Sequence, residues 1–286
     1  MMRAQQTWST PAKEEQNRHI PCALCGGRQF KRAFDCEGFG YVRCVKCGLV
    51  QINPQPEPTA VHSRYNESYL SYELKNESSF FNLGKLALKD AKIEEIERKT
   101  FPCGEKRALE VGCATGALLE YLKNRGWNVQ GVEISEAQAE YARKNRALEV
   151  STLPLEENHF KDEYFSLIYA SHLIEHLNAP YAFVKEAHRI LSVNGHLLIT
   201  TPNIDGFQAK LFGTRWRSAI FDHLYLFSKS TLKRLLTDAG FVIEKTVTWG
   251  GIAQGFAPPA IKFILDRAAK FWGFGDVVLM RCAKKS

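Results

Sequence analysis

No stretch of the 286-residue sequence carries the roughly eighteen consecutive apolar residues that a membrane-spanning helix needs. The opening residues, MMRAQQTWSTPAKEEQNRHIP, hold no apolar core between the first charge and the polar residues after it. A secretory leader is therefore not expected, and the chain is expected to work in the reducing cytoplasm. Charge of one sign never runs together: the net +7 is spread along the chain, which permits an acidic partner without demanding one. No internal repeat or low-complexity block occurs, and 45% hydrophobic with 24% charged residues is the composition of a globular protein. At this length one main core plus a smaller module is expected.

Eight cysteines in a reducing compartment point to metal ligands or buried thiols rather than a disulfide framework. Four of them, Cys22 and Cys25 in CALC and Cys44 and Cys47 in CVKC, have C-x2-C-x18-C-x2-C spacing. That spacing suits a four-thiolate zinc site in which each tight knuckle presents two sulfurs to a tetrahedral ion. All four positions being filled by protein, the zinc is expected to be structural. Cys36, between the pairs and without a knuckle partner, is read as a packing residue.

Residues 1–20 are polar and expected to be a disordered tail, 21–53 a zinc ribbon, and 54–104 a proline-bearing connector followed by a helical cover. From residue 105 to 286 strands alternate with helices, which means a parallel sheet with covering helices. RALEVG, NVQGVEI, LEVST, FSLIYAS and GHLLITT read as strands one to five. A helix beginning SEAQAEY is expected to open with a capping box of Ser135 and Gln138. In the helix around PYAFVKEAHRIL, Phe183, Val184, Ala187, Ile190 and Leu191 form a core stripe. Two last strands without room for a crossover between them suggest an antiparallel pair, separated by an insertion at about 250–275.

The first strand ends in a glycine-bearing turn, Gly112-Cys113-Ala114-Thr115-Gly116, that opens a helix. Such a turn lets a ligand approach backbone amides at a helix N-terminus. It lacks the G-x-G-x-x-G spacing of a dinucleotide fold. Glu133, at the end of strand two and 21 residues after Gly112, can accept hydrogen bonds from both ribose hydroxyls. Turn and acid together indicate a bound nucleoside.

With these residues the sequence resembles the class I S-adenosylmethionine-dependent methyltransferases. LEVGCATG matches the cofactor motif, GVEIS the ribose acid, and FSLIYASHLIEHLNAP and FDHLYLFSKSTLKRLLTDAGF look like the ubiquinone-biosynthesis-like branch. The resemblance implies a Rossmann-like α/β sheet with an antiparallel final strand pair, S-adenosyl-L-methionine as cofactor and methyl transfer as the activity. It implies that Gly112, Cys113, Ala114, Thr115 and Gly116 pass the methionine part, with Glu110 near its ammonium. Glu133 would hold the ribose, Ile134, Thr152 and Leu153 would meet the adenine, and Ser171 and His172 would lie beside the sulfonium. The family often has an acid near 151–153, and this chain has none there. Because a sulfonium methyl is already activated, alignment and exclusion of water are expected to do most of the work.

A hydroxyl or carbon acid would still need a base, and His223, His176 and His172 are the candidates, with His223 preferred for its place after strand five. Arg215 and Arg217 around Trp216 could clamp an anionic group and stack on a ring or sugar. The insertion holds an amphipathic helix with Ile261, Phe263, Ile264, Leu265, Ala268 and Phe271 apolar. It is expected to pack on its own domain, to cover the site, or to touch the inner face of a membrane through 255–272. A small-molecule acceptor follows, a sugar, glycolipid or other cell-envelope or secondary metabolite. An RNA methyltransferase with an RNA-contacting ribbon and a non-catalytic cofactor-binding adaptor are the alternatives. Against RNA, no Asn/Asp-Pro-Pro-aromatic step follows strand four. An NAD-dependent oxidoreductase is disfavoured by the glycine spacing and the lack of a Tyr-x-x-x-Lys pair.

Overall fold

The computed structural model describes residues 17–36, 38–56, 67–100, 106–252 and 258–285. Most of the expected tail, residues 1–16, lies outside them, as does the connector at 57–66. At its end Asn17–Arg18 (β1) pairs with Gln55–Pro56 (β5), so the described chain begins as a short strand where a disordered tail was expected.

Between these come Phe30–Cys36 (β2), Phe39–Cys44 (β3) and Val50–Ile52 (β4), an antiparallel sheet below the two cysteine knuckles. Helices Glu67–Asp90 (α1) and Ile93–Thr100 (α2) follow, broken at Lys92, whose φ is 57°. Arg107–Val111 (β6), Ala117–Asn124 (α3), Asn128–Val132 (β7), Glu136–Arg146 (α4) and Glu149–Ser151 (β8) make the first half of the main sheet. Phe165–Ser171 (β9), Pro180–Ile190 (α5), Leu191–Pro202 (β10), Phe207–Phe212 (α6), Tyr225–Leu226 (β11), Lys229–Asp238 (α7), Phe241–Trp249 (β12), Pro259–Trp272 (α8) and Val277–Lys284 (β13) make the second.

The seven strands lie in the order β12-β13-β10-β9-β6-β7-β8. Pairing is parallel from β10 to β8, while β13 runs antiparallel to both β10 and β12. The final pair is therefore antiparallel as expected, with β13 inserted inside the sheet and β12 at its edge. Near-continuous burial of FSLIYA in β9 and VVLMRCAK in β13 reflects cover on both faces. On one face Phe183, Val184, Ala187 and Ile190 of α5 pack with Leu232, Leu235 and Leu236 of α7. On the other, Leu88 of α1, Ile93 and Ile96 of α2, Leu118 and Leu119 of α3 and Ala139 and Ala142 of α4 close a second core.

One expectation changes here. The Ser135–Gln138 capping box does not form: the Ser135 hydroxyl makes no cap bond, and the Ser135 backbone N–H that Gln138 would accept from donates to Glu133 at 2.9 Å instead. A capping box does open α7, from Ser228 and Thr231. The insertion helix α8 buries only Ala269 and leaves Phe271 84% exposed, so it packs on its own domain by one narrow stripe beside β12.

Candidate active site

The carboxyl ends of β6 and β7 build the first half of a cleft. Gly112 has φ 75° and Gly116 φ 79°, the left-handed region that favours glycine. At Gly116 an added Cβ would also stand 2.5 Å from Leu148 Cδ1, so the turn needs glycine for space as well. The Glu133 carboxylate spans the turn, accepting from the backbone N–H of Ala114 and of Ser135, each at 2.9 Å. Outside the turn, Thr115 donates to Glu77 of α1 at 2.7 Å, and Arg146 of α4 donates to Glu77, to Glu120 and to the Thr115 carbonyl. The cover helix is thus tied to the back of the turn.

Glu110 and Glu133 are both buried. Burial, then the charge of Glu133, pushes Glu110 well above the usual carboxylate range, and burial raises Glu133 against its two backbone donors. One Glu110 oxygen, the Ser135 hydroxyl and the Gln138 amide nitrogen are buried and find no partner among the described residues. Two carboxylates and unused polar atoms around one turn suit a ligand that brings hydroxyl donors and positive charge. At the ends of β7 and β8, Ile134 is 37% and Leu153 49% exposed, with Thr152 half-buried.

The ends of β9 and β10 build the second half. Ser171 shares a 2.8 Å hydrogen bond with Thr200, and the next residue, His172, takes φ 50°. Its Nδ1 lies 3.3 Å from Oε1 of Glu175, a fully buried carboxylate whose other oxygen accepts from Thr201 at 2.9 Å. Burial would raise Glu175, yet the nearby His172 and the neighbouring imidazoles more than offset it and hold it at about 2. His176 and His223 meet edge to face, 4.7 Å between ring centres. Nδ1 of each faces a carbonyl, Asp222 at 2.9 Å for His176 and Ser218 at 2.8 Å for His223. A carbonyl only accepts, so Nδ1 must carry the proton and Nε2 is the free nitrogen in the neutral ring. Burial and the charge of His176 push His223 down to about 3, so this imidazole is neutral at pH 7. Ligand atoms of Glu175, His176 and His223 all lie within 4.8 Å of one another, close enough to share a divalent cation.

All three candidate histidines thus meet around Glu175, which sequence reasoning passed over. Its only signal was the spacing His172-x-x-Glu175-His176, one turn apart. Trp216 is a correction: it is 1% exposed, and its indole N–H donates to the buried Asp276 at 2.5 Å. Asp276 also pairs with Arg217 at 2.7 Å, so Trp216 is enclosed and Arg217, though exposed like Arg215, is already paired.

In the N-terminal module the four cysteine sulfurs come together, Cys22 and Cys47 at 3.4 Å and Cys25 and Cys44 at 3.5 Å. A tetrahedral zinc with bonds of about 2.3 Å would set sulfurs about 3.8 Å apart. Burial raises the Cys22 thiol against the backbone amides of Leu24 and Cys25, whereas at Cys44 the amides of Cys47 and Lys46 and the neighbouring thiols outweigh burial and lower it to about 7. Cys36, as expected, packs instead, its thiol 2.7 Å from the Ala219 carbonyl.

A family model described as "Methyltransferase domain" matches residues 85–246, from α1 into β12. The chain belongs to this methyltransferase family. An uncharacterized protein of Methanocaldococcus jannaschii is 28% identical over 63% of this chain and 80% of its own length. A ubiquinone biosynthesis O-methyltransferase of Pelagibacter ubique is 29% identical over 41% of this chain, which spans about half, 49%, of that relative. Among solved structures, a SAM-dependent methyltransferase of Thermotoga maritima superposes with a TM-score of 0.53 and 26% identity, over 75% of this chain and 97% of that one. One from Archaeoglobus fulgidus superposes with a TM-score of 0.54 at 20% identity, over 74% and 99%, a likeness of fold. The methyltransferase is of the class I, Rossmann-like kind, with S-adenosylmethionine as cofactor.

Proposed function

We propose that this methyltransferase acts on a hydroxyl of a small-molecule acceptor, a sugar, glycolipid or other cell-envelope or secondary metabolite. The observation that carries the reading is the pairing of His172 with the fully buried Glu175 at the tip of β9. The cofactor supplies an activated methyl; the residues of this chain hold it, orient the acceptor and take its proton. Glu133 and the amides of the Gly112–Gly116 turn hold the nucleoside and the methionine end, and Glu110 faces the ammonium. His172 takes the proton, because Glu175, 3.3 Å from its Nδ1, orients its ring. His223, neutral with a pKa of about 3, is a poor store for a proton and serves better to shape the acceptor pocket.

Titration with S-adenosylhomocysteine, followed by radiolabelled methyl transfer to a panel of sugars and phenols, tests the reading. Glu175→Gln should lower turnover by about 10²–10⁴-fold, the usual range for a lost acid or base, while leaving cofactor affinity within about threefold. Transfer to RNA alone, steeply weakened by salt, would turn the conclusion to nucleic acid.

One observation favours a second reading, a divalent cation on Glu175, His176 and His223 that binds the acceptor oxygen. Loss of activity with EDTA, restored by manganese or iron(II) rather than magnesium, would select it. The four cysteines hold a structural zinc in the same proposal. The exposed aromatic end of α8, Phe271 and Trp272 beside Lys270, is the part read as touching an anionic membrane surface that presents a lipid-linked acceptor. Phe271→Asp with Trp272→Asp should abolish sedimentation with phosphatidylglycerol vesicles; unchanged sedimentation removes that idea.

A further inference from the structure

The cysteine module does more than sit beside the catalytic sheet, because its strands reach the segment that carries the histidines. β11 belongs to the main domain by sequence, yet it pairs with β4 of the module, Tyr225 opposite Gln51 and Leu226 opposite Val50. The Ile52 N–H donates to the Leu224 carbonyl at 2.9 Å. Tyr41 of β3, fully buried, points its single hydroxyl proton at two carbonyls, Ile220 at 2.6 Å and His223 at 2.8 Å. The Cys36 thiol reaches the Ala219 carbonyl, and Phe39 stacks on Phe221 with ring centres 6.0 Å apart. Trp216, Ala219 and Leu226 share one core with Tyr41, Val50 and Ile52.

Within the segment so held lie His223 itself, the Ser218 carbonyl that fixes its Nδ1, and the Asp222 carbonyl that fixes Nδ1 of His176. Both imidazoles therefore take their orientation from backbone that the module grips. We propose that the four-cysteine module is a working part of the acceptor site, with Tyr41 as the positioning residue that sets the 218–224 backbone and through it the two imidazoles. The cofactor turn and Glu133 are instead tied to Glu77, Arg146, Val132 and Ser151, so acceptor chemistry and cofactor binding are expected to be separable. Metal loss at the cysteines would then silence the enzyme from a distance, by releasing the segment rather than by removing a reacting group. This inference rests on the reading of the histidine cluster as the acceptor site.

The test uses the full-length protein, Tyr41→Phe and Cys36→Ala, with two readouts that need no acceptor. In Tyr41→Phe, amide exchange across 216–226 should quicken by about tenfold while 107–133 keeps its protection. The Nδ1–H proton signal of His223, which points at the Ser218 carbonyl at 2.8 Å, should be lost to faster exchange with water as the segment opens. Cys36→Ala should do the same to a smaller degree. Stripping the metal with a chelator, its release followed by a colorimetric dye, should quicken the same amides, and zinc should restore them. Unchanged amide exchange and an unchanged His223 Nδ1–H signal in both variants would overturn the inference. S-adenosylhomocysteine affinity, measured in parallel, should stay within about twofold in the variants; no binding by the wild-type chain would instead overturn the reading of the cleft, whatever the segment does.

Discussion

On the cofactor side the working groups come from neighbouring residues: the Glu133 carboxylate meets the Ala114 amide from only 19 positions away. On the acceptor side His176 meets the Asp222 carbonyl across 46 positions, and Tyr41 meets the His223 carbonyl across 182. The first half is one β-turn-α-β unit, whose geometry follows from local backbone preference. The second is assembled from four segments, so its geometry depends on packing between modules. Local assembly makes the cofactor half tolerant of damage elsewhere, and distributed assembly makes the acceptor half sensitive to it.

The contrast is sharpened most by removing a sulfur. Cys44→Ala should take away most of an apparent zinc-binding energy of about 10–16 kcal/mol. Metal analysis should find the ion lost and the acceptor half opened, with S-adenosylhomocysteine affinity falling by less than about tenfold. An equal collapse of both halves would break the comparison. Next in size, Glu133→Ala removes the acceptor for two backbone donors and for the ribose. With charge-assisted bonds contributing about 1.5–3 kcal/mol each, calorimetry should show product affinity reduced by about tenfold or more. Gly116→Ala forces a side chain onto a left-handed position against Leu148 and should cost about 1–3 kcal/mol in denaturant unfolding, most of it local to the turn.

Acid should act on the other half. His223 is held at about 3 against an ordinary 6.5, so below 6.5 the unfolded chain takes a proton that the folded chain refuses. Its contribution is complete above pH 6.5 and is lost as pH falls toward 3, by up to about 1.4 kcal/mol per pH unit. Glu175, held at about 2 against 4.5, adds loss of the same sign below 4.5. Melting temperature recorded from pH 7.5 to 4.5 should therefore decline, and His223→Asn should flatten that decline; an identical slope in the variant would show that other groups govern it. The smallest effect belongs to Phe271→Ala, where 84% exposure leaves little burial to lose, and stability should change by less than about 0.5 kcal/mol.

Much of this was legible in the chain, and the reasons differ by element. The glycine turn was readable because two glycines with positive φ, a strand before and a helix after are local facts, and Glu133 sits at a fixed distance along the chain. The cysteine knuckles were readable because ligand spacing is itself the geometry. Trp216 was misread because a tryptophan between two arginines looks like a recognition surface until a buried Asp276 from 60 residues away claims both its indole N–H and Arg217. Glu175 was passed over because burial, which makes its charge consequential, is invisible in a run of letters.

By itself the sequence determined the alternating strands and helices, the glycine turn with its acid and the paired cysteines, since each follows from periodicity, backbone freedom or ligand chemistry over a few tens of residues. Only the tertiary structure decided that Tyr41 and β4 grip the segment carrying His223, and that Glu175 is enclosed among three imidazoles. Those contacts join residues that have no local preference for one another, and they exist because burying both modules' apolar faces brings their polar groups to where each must find a partner.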